Sequence, residues 1–141
     1  MIYSIHDIEL ADDHDIRLTP NGDVTTATTL LSMRQMVEFR IKTALAEWTA
    51  DPAAIADLPR LIGEGNNTET GELIEERVMN AITSDLVFVP RQVDVHVVPT
   101  SPSELALFVD ISDIVADDSD RTSLSLQFQI DFATGHIVGI I

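Results

Sequence analysis

The densest set of metal-compatible side chains is Asp12-Asp13-His14-Asp15, with His6 nearby. Carboxylates and imidazoles suit hard or borderline cations, but this run lacks the ligand spacing of a calcium loop and any zinc signature. It reads as a solvated acidic turn, and Asp117-Asp118-Ser119-Asp120 as a salt-tolerant surface loop. Nucleophilic catalysis needs an activated serine, threonine or cysteine beside a base. The chain has no cysteine and no nucleophile elbow, and its four histidines sit in unrelated contexts. Gly63 and Gly65 lack the lysine and spacing of a phosphate-cradling loop. Paired carboxylates could serve glycoside hydrolysis, but among 24 acidic residues no pair stands out, Glu38 with Glu47 included. The expectation is a protein that is not an enzyme, with no metal site and no cofactor.

One polar set is better organised. Arg40, Thr43 and Glu47 recur at steps of three and four, which places them on one face of a helix, and Trp48 follows directly. Such a set suits either an intrahelical polar stripe or a fixed ionic contact with another subunit.

The charge narrows the classes of partner. Acidic residues outnumber basic ones 24 to 8, giving a formal charge of −16. A nucleic-acid duplex would be repelled, so no nucleic-acid partner is expected. No apolar run approaches the ~20 residues of a membrane span, and Met1–Leu10 carries no signal-like core. A soluble chain made in the cytoplasm is expected, with no membrane partner. Lys42 is the single lysine among the eight basic residues. At low salt such a surface repels itself, whereas in about 1 M salt screening contracts to roughly 3 Å and the cost largely disappears. This points to a high-salt organism, or to something that infects one. Refolding yield should rise from low to multi-molar salt, and equal stability in both would mark an acidic protein of ordinary habitat.

At 141 residues with 45% hydrophobic content, residues 1–141 form one domain with a sizeable core. No internal repeat or second domain is apparent. Asp15-Ile16-Arg17-Leu18, a turn at Pro20-Asn21-Gly22-Asp23 and Val24-Thr25-Thr26 predict a short hairpin. Leu30, Met33, Val37, Ile41, Leu45 and Trp48, widened by Met36 and Phe39, predict a helix capped by Thr28 or Thr29 and ending before Asp51-Pro52. A second helix is predicted over Glu69–Ser84, with Thr68 as cap and Ile74, Val78 and Ile82 inward. Gly71 in its first turn is a defect of roughly 1 kcal/mol. The period then changes to two through Val93, Val95 and Val97, Leu105 to Ile111, and Leu124 to Ile130, with an acidic loop at Ser112–Thr122 and a last strand at His136–Ile141. The expected fold is α+β: a small N-terminal hairpin, two helices, and a C-terminal antiparallel β-meander. Uncharged Ile137, Val138, Ile140 and Ile141 suggest an exposed edge that invites strand pairing by another chain.

In these pieces the chain resembles phage baseplate wedge proteins of the sheath-initiator type, found in contractile tails and related injection machines. The resemblance rests on Asp15-Ile16-Arg17-Leu18-Thr19-Pro20-Asn21-Gly22-Asp23, then on Gln35, Arg40, Thr43, Ala46-Glu47-Trp48 and Asp51-Pro52. Val89-Pro90-Arg91 and the alternating valines of Val93-Asp94-Val95-His96-Val97 complete it. Alanine at 46 replaces the family's glycine, and Val89 its glutamate. The resemblance implies a structural protein in six copies around the tail axis, located in the virion tail baseplate and assembled in the host cytoplasm. Its implied partners are baseplate wedge subunits, tail sheath protein, and central hub or tube proteins. It implies that Arg40, Glu47, Pro90 and Arg91 face the wedge, and that His136, Ile137, Val138, Gly139, Ile140 and Ile141 accept sheath strands. Other readings are a tail or neck structural protein of a non-contractile virus and, more remotely, a muramidase-like tail enzyme, which nothing in these residues supports.

Overall fold

The switch in hydrophobic period near residue 90 divides the chain into a helical layer and a sheet. A computed structural model describes residues 2–11, 13, 15–44, 47–48, 50–61, 63–64, 66–116 and 120–140. The helices are α1 (Thr29–Lys42) and α2 (Thr68–Thr83). The sheet comprises β1 (Ile2–Tyr3), β2 (Val93–Ser101), β3 (Glu104–Ala116), β4 (Thr122–Asp131) and β5 (Ile137–Gly139). Strands β2 to β5 form an antiparallel meander, as expected, and both helices pack on it. Sequence alternation explains the layering. Val93, Val95, Leu105, Leu107, Val109, Ile111, Leu126, Phe128 and Ile130 are buried on one face, against Met33, Val37 and Ile41 of α1 and Ile74, Val78 and Ile82 of α2. Each large side chain buried there contributes about 1.5–3 kcal/mol.

Both helix starts follow cap chemistry. The Thr28 side chain accepts from Leu31 N at 3.2 Å, and Asn67 Oδ1, one residue before the expected cap, accepts from Thr70 N at 2.9 Å. The end of α1 differs from the expectation. A continuing helix would give the Arg40 carbonyl to Ala44 N, but that carbonyl accepts from Ala56 N at 2.9 Å, and Ala44 N donates to Glu47 Oε2 at 2.9 Å. The helix therefore stops at Lys42, and Trp48 folds back on Phe39 edge-to-face at 5.2 Å. Leu45 lies outside the described residues. Gly71 also has a reason to be small: a Cβ there would sit 3.1 Å from Val97 Cγ2, where α2 crosses β2.

Strand β3 runs through half of the expected acidic loop. After a bulge with Asp113 at φ 58°, Ile114 and Ala116 return to the core, and β1 pairs parallel with Val115 and Ala116. Asp117, Asp118 and Ser119 lie outside the described residues.

The N-terminal hairpin is one arm of a larger device. Its Leu18–Val24 bridge is joined by Leu10–Ile16 and Ile8–Thr26. Glu9 N donates to Thr25 O, Thr25 N to Arg17 O, and Arg17 N to Glu9 O, closing a ring of three hydrogen bonds at 2.8–3.0 Å. A second set runs from Ala11 N to Asp15 O, Thr19 N to Asp23 O, and Ala27 N to Asp7 O. Corresponding members are eight residues apart, and the sequence repeats with them: His6-Asp7-Ile8-Glu9-Leu10, His14-Asp15-Ile16-Arg17-Leu18, Gly22-Asp23-Val24-Thr25-Thr26. Three short β ribbons thus meet at a pseudo-threefold junction, and the expectation of no repeat is corrected. The alternation within each unit masks the eight-residue period between units.

Candidate functional site

The edge at β5 is built by the turn before it. Asp131 Oδ1 accepts from Ala133 N at 2.8 Å and from Thr134 N, and Gly135, at φ 76°, donates its N–H to Asp131 O at 2.7 Å. The Ala133 N–H, ahead of the Thr134 contacts, holds the Asp131 carboxyl below its ordinary range. The chain returns along β4 in the register Phe128–Gly139, Gln129–Val138 and Ile130–Ile137. Asp131 N donates to His136 O and Ile140 N to Gln127 O. Even-numbered residues therefore point their backbone groups at β4, and the N–H and C=O of Ile137 and Gly139 point away from it. Among the described residues no strand lies on that side. Ile137 packs on the core, Val138 and Ile140 are exposed, and Lys42 Nζ lies 3.6 Å from where a Gly139 Cβ would be. Ile141 lies outside the described residues.

The opposite edge is blunted. Glu75 Oε1 of α2 accepts from Val97 N at 3.1 Å, and Pro99 has no N–H to offer. Of the two outer strands of the meander, β5 is the open one.

The Pro90–Arg91 corner is rigid and outward. Pro90–Gln92 form a single 3₁₀ turn. Gln92 accepts from Val89 N at 3.1 Å through Oε1 and donates to Ser112 O at 3.2 Å through Nε2. Fully buried Phe88 anchors the segment from below, and Tyr3 Oη donates to Val87 O at 2.8 Å. Pro90 and Arg91 are exposed. Arg17, Arg34, Arg40, Lys42, Arg60 and Arg121 each face a carboxylate, and Arg77 donates to Asp57 O. Arg91 has no ion pair or hydrogen bond among the described residues, in a chain where acids outnumber bases threefold. Leu86, left-handed at φ 61° and 65% exposed, stands on the same pinned segment, a feature that its place after α2 did not signal.

Arg40 does not belong to this outward set. It is only 6% exposed. Its Nη1 donates to Ala81 O at 3.0 Å and Ile82 O at 3.2 Å, and its guanidinium forks onto both Asp85 oxygens. The side chain thus satisfies carbonyls at the C-terminal end of α2 and welds the two helices together. The expectation of a wedge contact at Arg40 is corrected to this internal role. Glu47 is exposed but sits beyond the end of α1, so it shares no helical face with Arg40.

Among the described residues, no group of three or more histidines, aspartates or glutamates could hold a metal ion. Asp12 and His14 lie outside the described set. An open groove of about 300 Å³ between Pro52–Arg60 and α2 is lined by Arg60, Arg77 and Asn80. Both arginines are already engaged with Asp57. Compared with protein-family models, curated proteins and solved structures, the chain matches none of them.

Proposed function

We propose that this chain is a structural subunit of a contractile-tail baseplate, viral or virus-derived. It joins wedge subunits to the first sheath ring and starts sheath assembly by accepting a sheath strand beside β5. The observation that carries this reading is the one-sided pairing of β5, whose Ile137 and Gly139 backbone groups face outward while the opposite sheet edge is blocked. An uncharged edge of this kind pairs by main-chain hydrogen bonds. The order of motifs from Asp15 to Val97 supports the assignment to the sheath-initiator class. No catalytic role is assigned. Imaging of assembled particles should find six copies between wedge and first sheath ring; a position at the neck or on a sheathless tail would contradict the reading.

The Pro90–Arg91 corner serves as the wedge contact. Arg91→Ala should weaken wedge attachment by about 2–4 kcal/mol if a buried carboxylate or carbonyl receives the guanidinium. The isolated chain should keep its stability to within about 0.5 kcal/mol, because Arg91 is exposed and has no hydrogen bond or ion pair among the described residues. Pull-down of wedge subunits at graded concentration measures the loss; unchanged retention would make Arg91 a plain surface residue.

A further inference from the structure

The three-way β junction carries an apolar face that the reading above does not use. Bridged residues lie side by side on one face of a ribbon, and strand alternation extends that face from each bridge to the next. Ile8, Leu10, Ile16, Leu18 and Val24 therefore share one side of the junction, and all are 38–59% exposed. A scattered exposed leucine needs no explanation, but five grouped branched side chains on a highly acidic surface do.

The platform is preorganised. Thr29 Oγ1 accepts from Ile5 N at 3.2 Å and Ser32 Oγ from Asp7 N at 3.0 Å. Gln35 takes Leu10 N at 2.9 Å and gives Nε2–H to Ile8 O at 3.0 Å. Three side chains along α1 thus clamp the backbone under the apolar face, so little ordering remains to oppose binding.

Charge selects the occupant. Residues 6–26 hold six acids against one arginine, and Arg17 is already paired with Glu9 at 3.5 Å. Exposed Asp7, Asp15 and Asp23 each directly precede an apolar member of the face and, by the same alternation, project to its other side, so their charge acts on the face as a field at its margin. A second copy would double that negative field at the contact, whereas a basic rim would be attracted.

We propose that this face docks a different protein, whose contact surface is apolar at its centre and rimmed with arginine or lysine. The probe is the full chain carrying a photo-crosslinking phenylalanine at Leu18, co-expressed with the products of the genes flanking its own. The expected result is an adduct to one of those products, in a peptide that contains at least two basic residues. Ile16→Asp with Leu18→Asp should lower co-purification of that product at least tenfold, and Asp15→Lys with Asp23→Lys at least threefold. A chain ending at His136 should keep the adduct, which separates this interface from the β5 edge. The proposal is overturned by no adduct, by an adduct between two copies, by an adduct in an acidic peptide, by indifference to charge reversal, or by loss of the adduct on truncation.

Discussion

Ending the chain at His136 should give baseplates that assemble but carry no sheath. The four outward groups of Ile137 and Gly139 can form up to four hydrogen bonds with an added strand. At about 0.5–1.5 kcal/mol each, their loss removes roughly 2–6 kcal/mol from the first sheath contact. That is about 30-fold at the low end and over 10⁴-fold at the high end, enough to abolish nucleation on most particles. The fold itself should survive, because β5 pairs over three residues and only Ile137 of them packs on the core. Electron microscopy of particles built with the shortened chain measures the sheathed fraction, and normal sheath would defeat the edge-strand proposal.

Arg40→Ala should cost about 2–4 kcal/mol of folding stability, because it removes a buried guanidinium that serves two carbonyls at the end of α2 and one partly exposed carboxylate. The substitution removes the Nη1 donor from the Ala81 and Ile82 carbonyls and the guanidinium from Asp85 at once, while Ala81 O keeps the Ser84 hydroxyl. Burial raises the Asp85 pKa, but the Arg40 hydrogen bond and charge, helped by Val87 N–H, pull it further down, to a net position below 3.8. A carboxylate with a depressed folded pKa stabilises above its unfolded value, and that contribution fades as pH falls through the folded one. The stability gap between the natural chain and Asp85→Asn should therefore be constant near neutrality and close below about pH 4. The Asp85 side chain is one-third exposed, so its own share is nearer 1 kcal/mol. Denaturant melts in concentrated salt across pH 2–7 measure both effects; a gap that widens in acid would contradict the pairing.

Elements governed by local periodicity were legible in the sequence. Alternating valines and leucines placed β2, β3 and β4 and their inner faces, and the steps of Ile74, Val78 and Ile82 placed α2. Features decided by distant partners were not. The end of α1 depends on Ala56 N reaching back to the Arg40 carbonyl, so a hydrophobic stripe running on to Trp48 gave the wrong length. Arg40 itself looks like a surface contact by spacing, and only the approach of the α2 C-terminus makes it internal. The extension of β3 needs β1, two residues from more than a hundred positions away. The β5 edge was readable because its residues lack charge, but the blocking of the other edge by Glu75 was not, since it joins a helix to a strand. The eight-residue repeat was present in plain letters from His6 to Thr26, hidden by alternation of the same kind inside each unit.

Hydrogen exchange at single-residue resolution tests the open-edge claim most directly. In the isolated chain the amides of Ile137 and Gly139 should exchange fast, while Ile140, bonded to Gln127 O, exchanges more slowly. In sheathed particles the first two should slow by about tenfold or more as they gain partners on a neighbouring chain. Rates at Ile137 and Gly139 that are the same in both states would contradict the account.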